Sequence, residues 1–428
     1  MLLNTAPSGS APAATGQPAV PAHPVASLLR GPGPGVFVLA LLARLAGQVL
    51  LNAYAAPRTW EYEVIADNLL AGLGYTYQID GATYVASQSS PLYIFLVAGV
   101  YLVTGHSQTT LLVIQALFGA ATATLAAWLA KRMGSLAAGW WAGLLVAFDP
   151  GLVIYAAELH SLTLDALAFV ALVCGVVALA TRPRVRHLAL LGIAFGLATL
   201  TRSTALLLLP LGLVWLVRYR RVRLVSGQSA ALIGVALLVC APWSIRNSVL
   251  LGQPVLVSSE ASEWLWRGNN PAATGSSYTL DGRRMLDAAP QDFQNRVYAA
   301  GEAERVRLYR DAALTFMREH PSEAAALYVR KLKAFWWSSD TTGLLYPPGW
   351  LSGYYLWSAA ILLFAAVGAA SARRPETLLV VAFLVVSALT QSVFYVEGRH
   401  RLAVEPLILV LSALGAASVL RKYAKRPV

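Results

Sequence analysis

Residues 131–187 read KRMGSLAAGWWAGLLVAFDPGLVIYAAELHSLTLDALAFVALVCGVVALATRPRVRH, and their pattern decides the fold. Two apolar runs, 136–156 and 161–180, are each long enough to cross a bilayer, and a short polar segment joins them. Basic residues stand on both sides, at Lys131–Arg132 and at 182–187. Because such clusters concentrate on the cytoplasmic side, the stretch predicts a helical hairpin that begins and ends there.

The whole chain has the composition of a polytopic membrane protein. Of its 428 residues, 57% are hydrophobic and only 13% are charged, whereas a soluble domain carries about 25% charged residues. The net charge of +12 comes from short basic clusters between apolar runs, so it indicates topology and gives no reason to expect a nucleic-acid partner. Cys174 and Cys240 both lie inside apolar runs, which predicts two buried thiols without a metal or a disulfide.

Ten apolar runs and five basic clusters predict ten crossings, because two runs separate each consecutive pair of clusters. Both termini are then cytoplasmic. A further run, 91–104, is about 14 residues long and is expected in the membrane interface, with eleven crossings as the alternative. The clusters are Lys131–Arg132, 182–187, 218–223, Arg373–Arg374 and 421–426. The runs are 35–54, 107–130, 136–156, 161–180, 188–201, 203–217, 228–245, 350–370, 376–396 and 402–420.

The predicted fold is an all-α integral membrane protein in four parts. Residues 1–34 are rich in Ala, Pro and Gly, which predicts a disordered cytoplasmic tail. A transmembrane module covers 35–245 and includes an outer loop at 55–106. A second outer loop, 246–348, is partly helical, with one helix expected from Gly301 to Pro321. The last spans and a short cytoplasmic tail occupy 349–428.

Three carboxylates are candidates for a catalytic base. The segment RTWEYEVIADNLLAGLGY, residues 58–75, predicts a short amphipathic helix after the first span. Glu61 stands near its N-terminus, where the helix dipole favours an ionised carboxylate. Glu63 and Asp67 share one helix face and are expected to be solvated, although Glu63 is a second candidate. Glu158, at the predicted outer end of a span, is the third, with a structural salt bridge as the alternative.

Arginines at the predicted outer ends of spans oppose the charge bias, so they need partners or ligands. Arg202 lies between two short apolar runs and could bind a ligand or pair with Glu158 or Asp165. Arg246 could bind a ligand or extend its side chain to the interface. His160, in the same outer region, is expected to be a hydrogen-bonded interfacial histidine.

The motif EGRHR, residues 397–401, brings three more basic side chains to one outer boundary. They are Arg399, His400 and Arg401. Because a guanidinium group binds phosphate through two parallel hydrogen bonds, such a cluster is typical of a phosphate or pyrophosphate site.

Five segments, in this order and spacing, resemble one superfamily. They are EYEVIADNLLAGLGY, SQSSPLYIFLVAGVYLVTGHS, GLATLTRSTALLLLPL, APWSIRNSVLLGQPVLVSSEASEWLWRGNNP and GRHRLAVEPLIL. Across about 35–420 the chain resembles the GT-C membrane glycosyltransferases, in particular the bacterial branch related to protein O-mannosyltransferases and to the lipid A aminoarabinose transferase. The Ala-, Arg- and Gly-rich composition agrees with a bacterial origin, so the resemblance implies a bacterial plasma membrane with the active site on the outer face.

The resemblance implies a transferase that takes a sugar from a polyprenyl-phosphate donor and passes it to an acceptor that the sequence does not identify. An acidic residue of the first outer loop would act as base, which is Glu61 here. Arginines at helix ends would bind the lipid phosphate, which makes Arg202, Arg246, Arg399 and Arg401 the candidates.

One departure stands out. Many relatives carry an acidic pair near the start of the loop helix, and the aligned positions here are Arg58–Thr59. Either Glu61 takes the role, or the base is Glu63 or Glu158. The resemblance requires no cofactor. A divalent cation between Glu61 and Glu158 is conceivable, but nothing in the sequence demands one.

Two other functions compete with glycosyl transfer. A transporter or flippase of a lipid-linked substrate would suit the membrane spans, but it favours internal hydropathy repeats, which the chain lacks. A non-catalytic scaffold predicts an outer face without clustered ionisable groups. The clusters at 58–67 and 397–401 favour the enzyme.

Overall fold

The computed structural model describes residues 31–79, 82–84, 89–181, 184–220, 226–338, 341 and 348–424. Most of the predicted tail 1–34 and parts of the basic clusters 182–187, 218–223 and 421–426 lie outside the described residues. Within them the protein is almost entirely helical. The one small sheet in these ranges is an antiparallel hairpin of β1 (Tyr77–Ile79) and β2 (Ala82–Tyr84), which the sequence analysis did not predict.

The helices follow one another along the chain, and the longest connections between them are 71–90 and 268–290. The first nine are α1 (Gly33–Leu50), α2 (Glu61–Leu70), α3 (Pro91–Thr104), α4 (Gln108–Met133), α5 (Leu136–Phe148), α6 (Pro150–Ala156), α7 (Leu162–Leu179), α8 (Val185–Thr201) and, after a 3-10 turn at Ser203–Leu207, α9 (Leu208–Arg220). The next five are α10 (Ser226–Leu251), α11 (Ala261–Arg267), α12 (Gln291–Ala299), α13 (Glu302–Glu319) and α14 (Pro321–Trp336), with a 3-10 turn at Met285–Ala288. The last four are α15 (Pro348–Ser371), α16 (Pro375–Gln391), α17 (Arg399–Leu402) and α18 (Glu405–Ala424).

The expected all-α membrane fold is confirmed. Six of the described helices are long and apolar enough to cross a bilayer, namely α1, α4, α7, α10, α15 and α18, and the bent pair α5–α6 passes the same test as a unit. Shorter apolar helices occupy 91–104, 185–201, 203–219 and 375–391. If the pair and the last three of these cross, the total is ten, as the charge pattern predicts.

Several predicted boundaries shift for identifiable reasons. The first helix ends at Leu50, before the predicted 54, and a turn follows in which Asn52 has a positive φ of 56°. Helix α10 continues to Leu251, beyond the predicted 245, and ends where Gly252 takes a φ of 60°. The span predicted at 376–396 ends at Gln391.

The span predicted at 136–156 is broken. Helices α5 and α6 meet at an angle of 50° around Asp149 and Pro150. Proline supplies no backbone N–H and suits the first position of a helix, so Pro150 begins α6. One carboxylate oxygen of Asp149 caps the new helix by accepting a hydrogen bond from the Leu152 N–H at 2.9 Å.

Side chains from two other helices form hydrogen bonds with polar groups at this break. Arg44 of α1, which is 1% exposed, donates to the carbonyl of Ala147 and, at 2.7 Å, to that of Val146. Trp357 of α15 donates its indole N–H to the second oxygen of Asp149 at 2.8 Å. The carbonyls and the carboxylate at the break are therefore satisfied inside the protein, as a membrane interior requires.

Helices α15 and α18 cross in direct backbone contact. A Cβ atom on Gly368 would lie 1.9 Å from the carbonyl oxygen of Leu411, and one on Gly415 would lie 2.0 Å from that of Phe364. Both approaches are too close for any side chain. Glycine at such crossings is a common way for membrane helices to pack.

Basic residues of separate clusters meet at one end of the bundle. Arg374 donates to the carbonyl of Arg132 at 2.9 Å, and Arg132 lies 3.9 Å from the carboxylate of Glu376. Trp215, near the end of α9, donates to the carbonyl of Pro375 at 2.6 Å. This grouping agrees with the prediction that the clusters share one side of the membrane.

The region predicted as the second outer loop is helical and packs on the bundle. The helix expected at Gly301–Pro321 is α13, and Pro321 then begins α14. Lys331 of α14 is fully buried and donates to the Gly268 carbonyl at 3.0 Å and to the Asn269 side chain at 2.9 Å. These bonds hold α14 against the segment that follows α11.

The orientation can be tested by thiol labelling, because Cys174 and Cys240 are both buried. The Asp281 side chain is 57% exposed in the predicted outer loop, and Lys422 is exposed in the predicted cytoplasmic segment. We expect Asp281→Cys to react with a membrane-impermeant maleimide in intact cells and Lys422→Cys to react only after lysis. The reverse pattern would overturn the orientation.

Removing the Arg44 side chain should destabilise the bundle. Arg44→Met leaves two buried carbonyls without donors, and each unsatisfied group costs about 1–3 kcal/mol. We expect a clearly lower midpoint of thermal unfolding in detergent for Arg44→Met. Leu42→Met, on the exposed face of the same helix, is the matched control and should unfold like the unaltered protein. Equal midpoints for both variants would show that Arg44 does not support the break.

Candidate active site

A cavity of about 720 Å³ lies among α1, the α5–α6 break, α15 and the segment 397–405. Its wall is mainly apolar, and several of the apolar lining residues, such as Leu50, Phe148 and Trp350, are exposed at the protein surface. The charged lining residues are Arg58, Asp149, Glu397, Arg399, Arg401 and Glu405. A volume of this size suits a lipid or a sugar-sized ligand.

Charged side chains at this cavity lie around the indole ring of Trp60. The guanidinium carbons of Arg58 and Arg399 lie 5.2 and 5.3 Å from the ring centroid of Trp60, within range for cation–π attraction. The indole N–H of Trp60 donates to one oxygen of Glu158 at 3.2 Å, and Arg58 contacts the other at 3.4 Å. These four side chains form the polar end cluster: Arg58, Trp60, Glu158 and Arg399.

The backbone joins two distant segments at this cluster. Arg58 and Glu158 form an isolated parallel β-bridge, in which the Leu159 N–H donates to the Arg58 carbonyl at 2.9 Å. Gln115 of α4 donates to the Glu158 carbonyl at 2.8 Å. Residues that are a hundred positions apart are therefore held in a fixed register.

Burial raises the pKa of Glu158, because a carboxylate away from water loses hydration. Three neighbours oppose the shift: the positive charges of Arg58 and Arg399 and the hydrogen bond from Trp60. The proton affinity of Glu158 therefore depends on where these cations lie.

His160 stays neutral beside the same cations. Burial and the charges of Arg399, Arg202 and Arg58 hold its pKa well below the usual range. Its Nδ1 accepts a hydrogen bond from the Leu162 N–H at 3.1 Å, which leaves the proton on Nε2. The neutral ring packs edge-on against Trp60, Tyr62 and Tyr155.

Arg202 has the protein partner that the sequence analysis named as an alternative. Its Nε lies 3.4 Å from a carboxylate oxygen of Asp165, which is 1% exposed. Arg202 is not among the described residues that line the cavity. The pair compensates a charge buried at the start of α7.

Arg246 lies against aromatic rings. Its guanidinium carbon is 4.6 Å from the Trp243 ring centroid and 5.5 Å from that of Tyr75, and it donates to Asn247 at 2.7 Å. The cavity lining described here does not include it. The structure thus does not bring Arg202 and Arg246 to the cavity that Arg399 and Arg401 share.

Arg401 and His400 both point into protein. Arg401 lines the cavity, but its guanidinium group contacts both carboxylate oxygens of Glu405, at 2.7 and 3.3 Å, and the carbonyl of Trp336 at 2.7 Å. His400 is buried, and its Nδ1 accepts a hydrogen bond from the Glu397 N–H at 3.2 Å. The polar contacts of Arg401 described here are all with protein groups, and His400 is not among the described lining residues.

Glu61 and Glu63 have different environments on α2. Glu61, the first residue of the helix, is half-buried and accepts a hydrogen bond from the Ser89 hydroxyl at 2.9 Å. Glu63 is 8% exposed and accepts hydrogen bonds from Tyr101 and Gln108. The expectation that Glu63 is solvated was wrong, because α3 and the start of α4 cover that face.

His106 extends the cluster around Glu63. Its two ring nitrogens lie 3.4 Å from Glu63 and 3.0 Å from Asp67, one helical turn further along α2. Its backbone has a positive φ of 68°, which directs the ring back to α2. Glu63 and Asp67 therefore fix the position of α2.

The sequence analysis missed Arg58 and Trp60 as site residues. The available signal was the departure at Arg58–Thr59, where an arginine stands in place of an acid. Among the described ranges, no three His, Cys, Asp or Glu side chains are grouped closely enough to hold a metal ion.

Comparisons with known proteins identify the fold. Residues 88–245 match the family model described as Dolichyl-phosphate-mannose-protein mannosyltransferase. The archaeal oligosaccharyltransferase AglB from Archaeoglobus fulgidus, solved with an inhibitory peptide and a dolichol-phosphate, aligns with a TM-score of 0.51 at 12% identity over 91% of this chain and 50% of that chain. The apo form of the same oligosaccharyltransferase aligns with a TM-score of 0.50 at 14% identity, again over 91% of this chain and 50% of that chain.

A third solved structure, ArnT from Cupriavidus metallidurans bound to undecaprenyl phosphate, aligns with a TM-score of 0.42 at 15% identity over 91% of this chain and 79% of that chain. A search of curated proteins by sequence found no match. This chain spans about half the length of the oligosaccharyltransferase structures that it matches. The protein is thus a multi-pass membrane protein with the GT-C fold, which confirms the resemblance seen in the sequence.

Proposed function

We propose that this protein is a membrane glycosyltransferase that takes a sugar from a polyprenyl-phosphate donor. It passes the sugar to an acceptor on the outer face of a bacterial plasma membrane. The observation that carries the proposal is the cavity itself, which joins an apolar wall to a polar end with Arg58 and Arg399. Such a cavity fits a ligand with a hydrocarbon chain and a phosphate.

The two ends of the cavity suit the two ends of the donor lipid. Isoprenoid units would lie against Leu50, Phe148 and Trp350, where burial of apolar surface favours binding. The phosphate would lie between Arg58 and Arg399, whose guanidinium groups can each donate two parallel hydrogen bonds. Arg401 is held by Glu405 and would shape the site without contacting the phosphate.

The comparisons support this choice of donor. The matched family model is named for transfer of mannose from dolichyl phosphate to protein. A protein of the same fold was solved in complex with a dolichol-phosphate. The sugar and the acceptor remain to be found, and a screen of polyprenyl-phosphate sugars with the purified protein is the direct way to identify the donor.

The proposed chemistry needs a base and a site for a leaving anion. An acceptor hydroxyl or amine attacks the anomeric carbon of the donor sugar, and the bond from that carbon to the phosphate oxygen breaks. The acceptor proton passes to a carboxylate, and the polyprenyl phosphate leaves with the electron pair. Arg58 and Arg399 would stabilise the negative charge that develops on the phosphate.

We favour Glu158 as the base over Glu61. Glu158 contacts Arg58 and Trp60, both of which line the cavity, and its raised pKa makes it a stronger base than an ordinary carboxylate. Neither carboxylate is among the described lining residues, and Glu61 is the second candidate because it accepts its hydrogen bond from Ser89, which is also outside that lining. Glu63 is bonded to Tyr101 and Gln108 and comes third.

Donor binding should depend on the two arginines of the polar end cluster. We expect Arg399→Ala and Arg58→Ala each to weaken binding of undecaprenyl phosphate about ten- to hundred-fold, since a charge-assisted hydrogen bond contributes about 1.5–3 kcal/mol. Arg246→Ala, an arginine outside the described lining, is the matched control and should bind almost normally. Unchanged binding in both Arg399→Ala and Arg58→Ala would contradict the assignment.

Turnover should depend on Glu158. Glu158→Gln preserves shape and removes the base, so we expect a loss of about 10²–10⁴ in the rate of sugar transfer while undecaprenyl phosphate still binds. Asp281→Asn, at an exposed carboxylate, is the control and should transfer at the normal rate. If Glu61→Gln loses transfer and Glu158→Gln keeps it, the base is Glu61.

A further inference from the structure

We propose that Arg58 couples the arrival of the donor phosphate to the proton affinity of Glu158. In the empty cavity Arg58 pairs with Glu158, and in the filled cavity it pairs with the phosphate and releases the carboxylate. This inference rests on the proposed function and adds to it a way in which the donor itself would activate the base.

The two partners of the Arg58–Glu158 ion pair differ in their exposure to solvent. The Arg58 side chain is 66% exposed and lines the cavity, whereas the Glu158 side chain is 11% exposed and lies behind it. Their contact, at 3.4 Å, is long for a charge-assisted hydrogen bond. Because the Arg58 end of the pair is exposed to solvent, a phosphate that enters the cavity can take the guanidinium group from Glu158.

Only the side chain of Arg58 has to move. The parallel bridge between residues 58 and 158 and the bond from Gln115 fix both backbones. Trp60 donates to Glu158 and attracts the Arg58 guanidinium group, so it holds the carboxylate in place when the cation leaves. The exchange is therefore a rotation of one long side chain within a rigid frame.

The charges around Glu158 determine in which direction phosphate binding shifts its pKa. At the polar end of the cavity lie the cations Arg58 and Arg399 and the carboxylates Glu158 and Glu397, the latter 3.2 Å from Arg399. Arg401 and Glu405, further along the lining, pair with each other. His160, the other titratable group beside Trp60, is neutral. A bound phosphate adds negative charge and removes the nearest cation from Glu158.

Both changes raise the pKa of Glu158 in the complex above its value in the free protein. At a pH between the two values the complex holds more protons than its separate parts, so phosphate binding takes up protons. In that window affinity rises as the pH falls. Above that window Glu158 stays ionised in the complex and is a stronger base for the acceptor proton, whereas within the window the protonated carboxyl cannot accept that proton.

Proton uptake on binding tests the coupling directly. Undecaprenyl phosphate is titrated calorimetrically into the purified full chain at one pH, in buffers with different ionisation enthalpies. Subtracting the proton uptake of Glu158→Gln from that of the unaltered protein removes the contribution of the phosphate's own titration. We expect the unaltered protein to take up more protons, by up to about one per site, and Asp281→Asn to match it.

A second variant keeps the test independent of Glu158→Gln. In Arg58→Met there is no cation to lose, so we expect weaker binding and a proton uptake close to that of Glu158→Gln. If undecaprenyl phosphate binds with equal proton uptake in the unaltered protein, Glu158→Gln and Arg58→Met, the coupling is refuted and the proposed function stands. If the unaltered protein binds no undecaprenyl phosphate, the proposed function itself fails.

Discussion

The break between α5 and α6 is the constraint on which the rest of the structure depends. Inside a membrane a backbone that leaves the helix must find its hydrogen bonds within the protein. Here Arg44 supplies donors to the freed carbonyls, and Asp149 caps the new helix while accepting from Trp357. Asp149 and the first residues of α6 line the cavity, so the same break that needs support also opens space for a ligand.

Exposure distinguishes the three arginines of the cavity. Each has a carboxylate partner, yet their side chains are 66%, 21% and 4% exposed for Arg58, Arg399 and Arg401. A buried pair such as Arg401 with Glu405 cannot exchange its partner without leaving a charge uncompensated in the interior. Arg58 can exchange its partner more easily, because its guanidinium group is exposed and Glu158 keeps the hydrogen bond from Trp60. Arg401 is therefore structural, and Arg58, which the sequence analysis had noted only as a departure, is the one best able to receive an external anion.

Sequence reasoning succeeded where the signal is a property of long segments. Hydropathy and basic clusters predicted the fold class and the helices around 107–130 and 161–180, and helical spacing predicted the helix from Gly301 to Pro321. It failed where an outcome depends on which distant groups meet. Packing between segments that are far apart in the chain decides whether Arg202 pairs with Asp165 or turns to a ligand. It also decides whether Glu63 is solvated or covered by α3. The break at Asp149 was missed for the same reason, since the apolar run continues through it.

The surroundings of Arg58 show how a carboxylate can reach one place in the fold from a different segment of the chain. The resemblance seen in the sequence implies an acidic pair where this chain has Arg58–Thr59, which suggests a lost carboxylate. The β-bridge between residues 58 and 158 brings Glu158 to that place from a different segment. The local site thus retains a carboxylate and gains a cation, a combination that a carboxylate pair cannot provide. Under the proposed function, the carboxylate comes from Glu158, and position 58 holds a cation that the donor phosphate can attract.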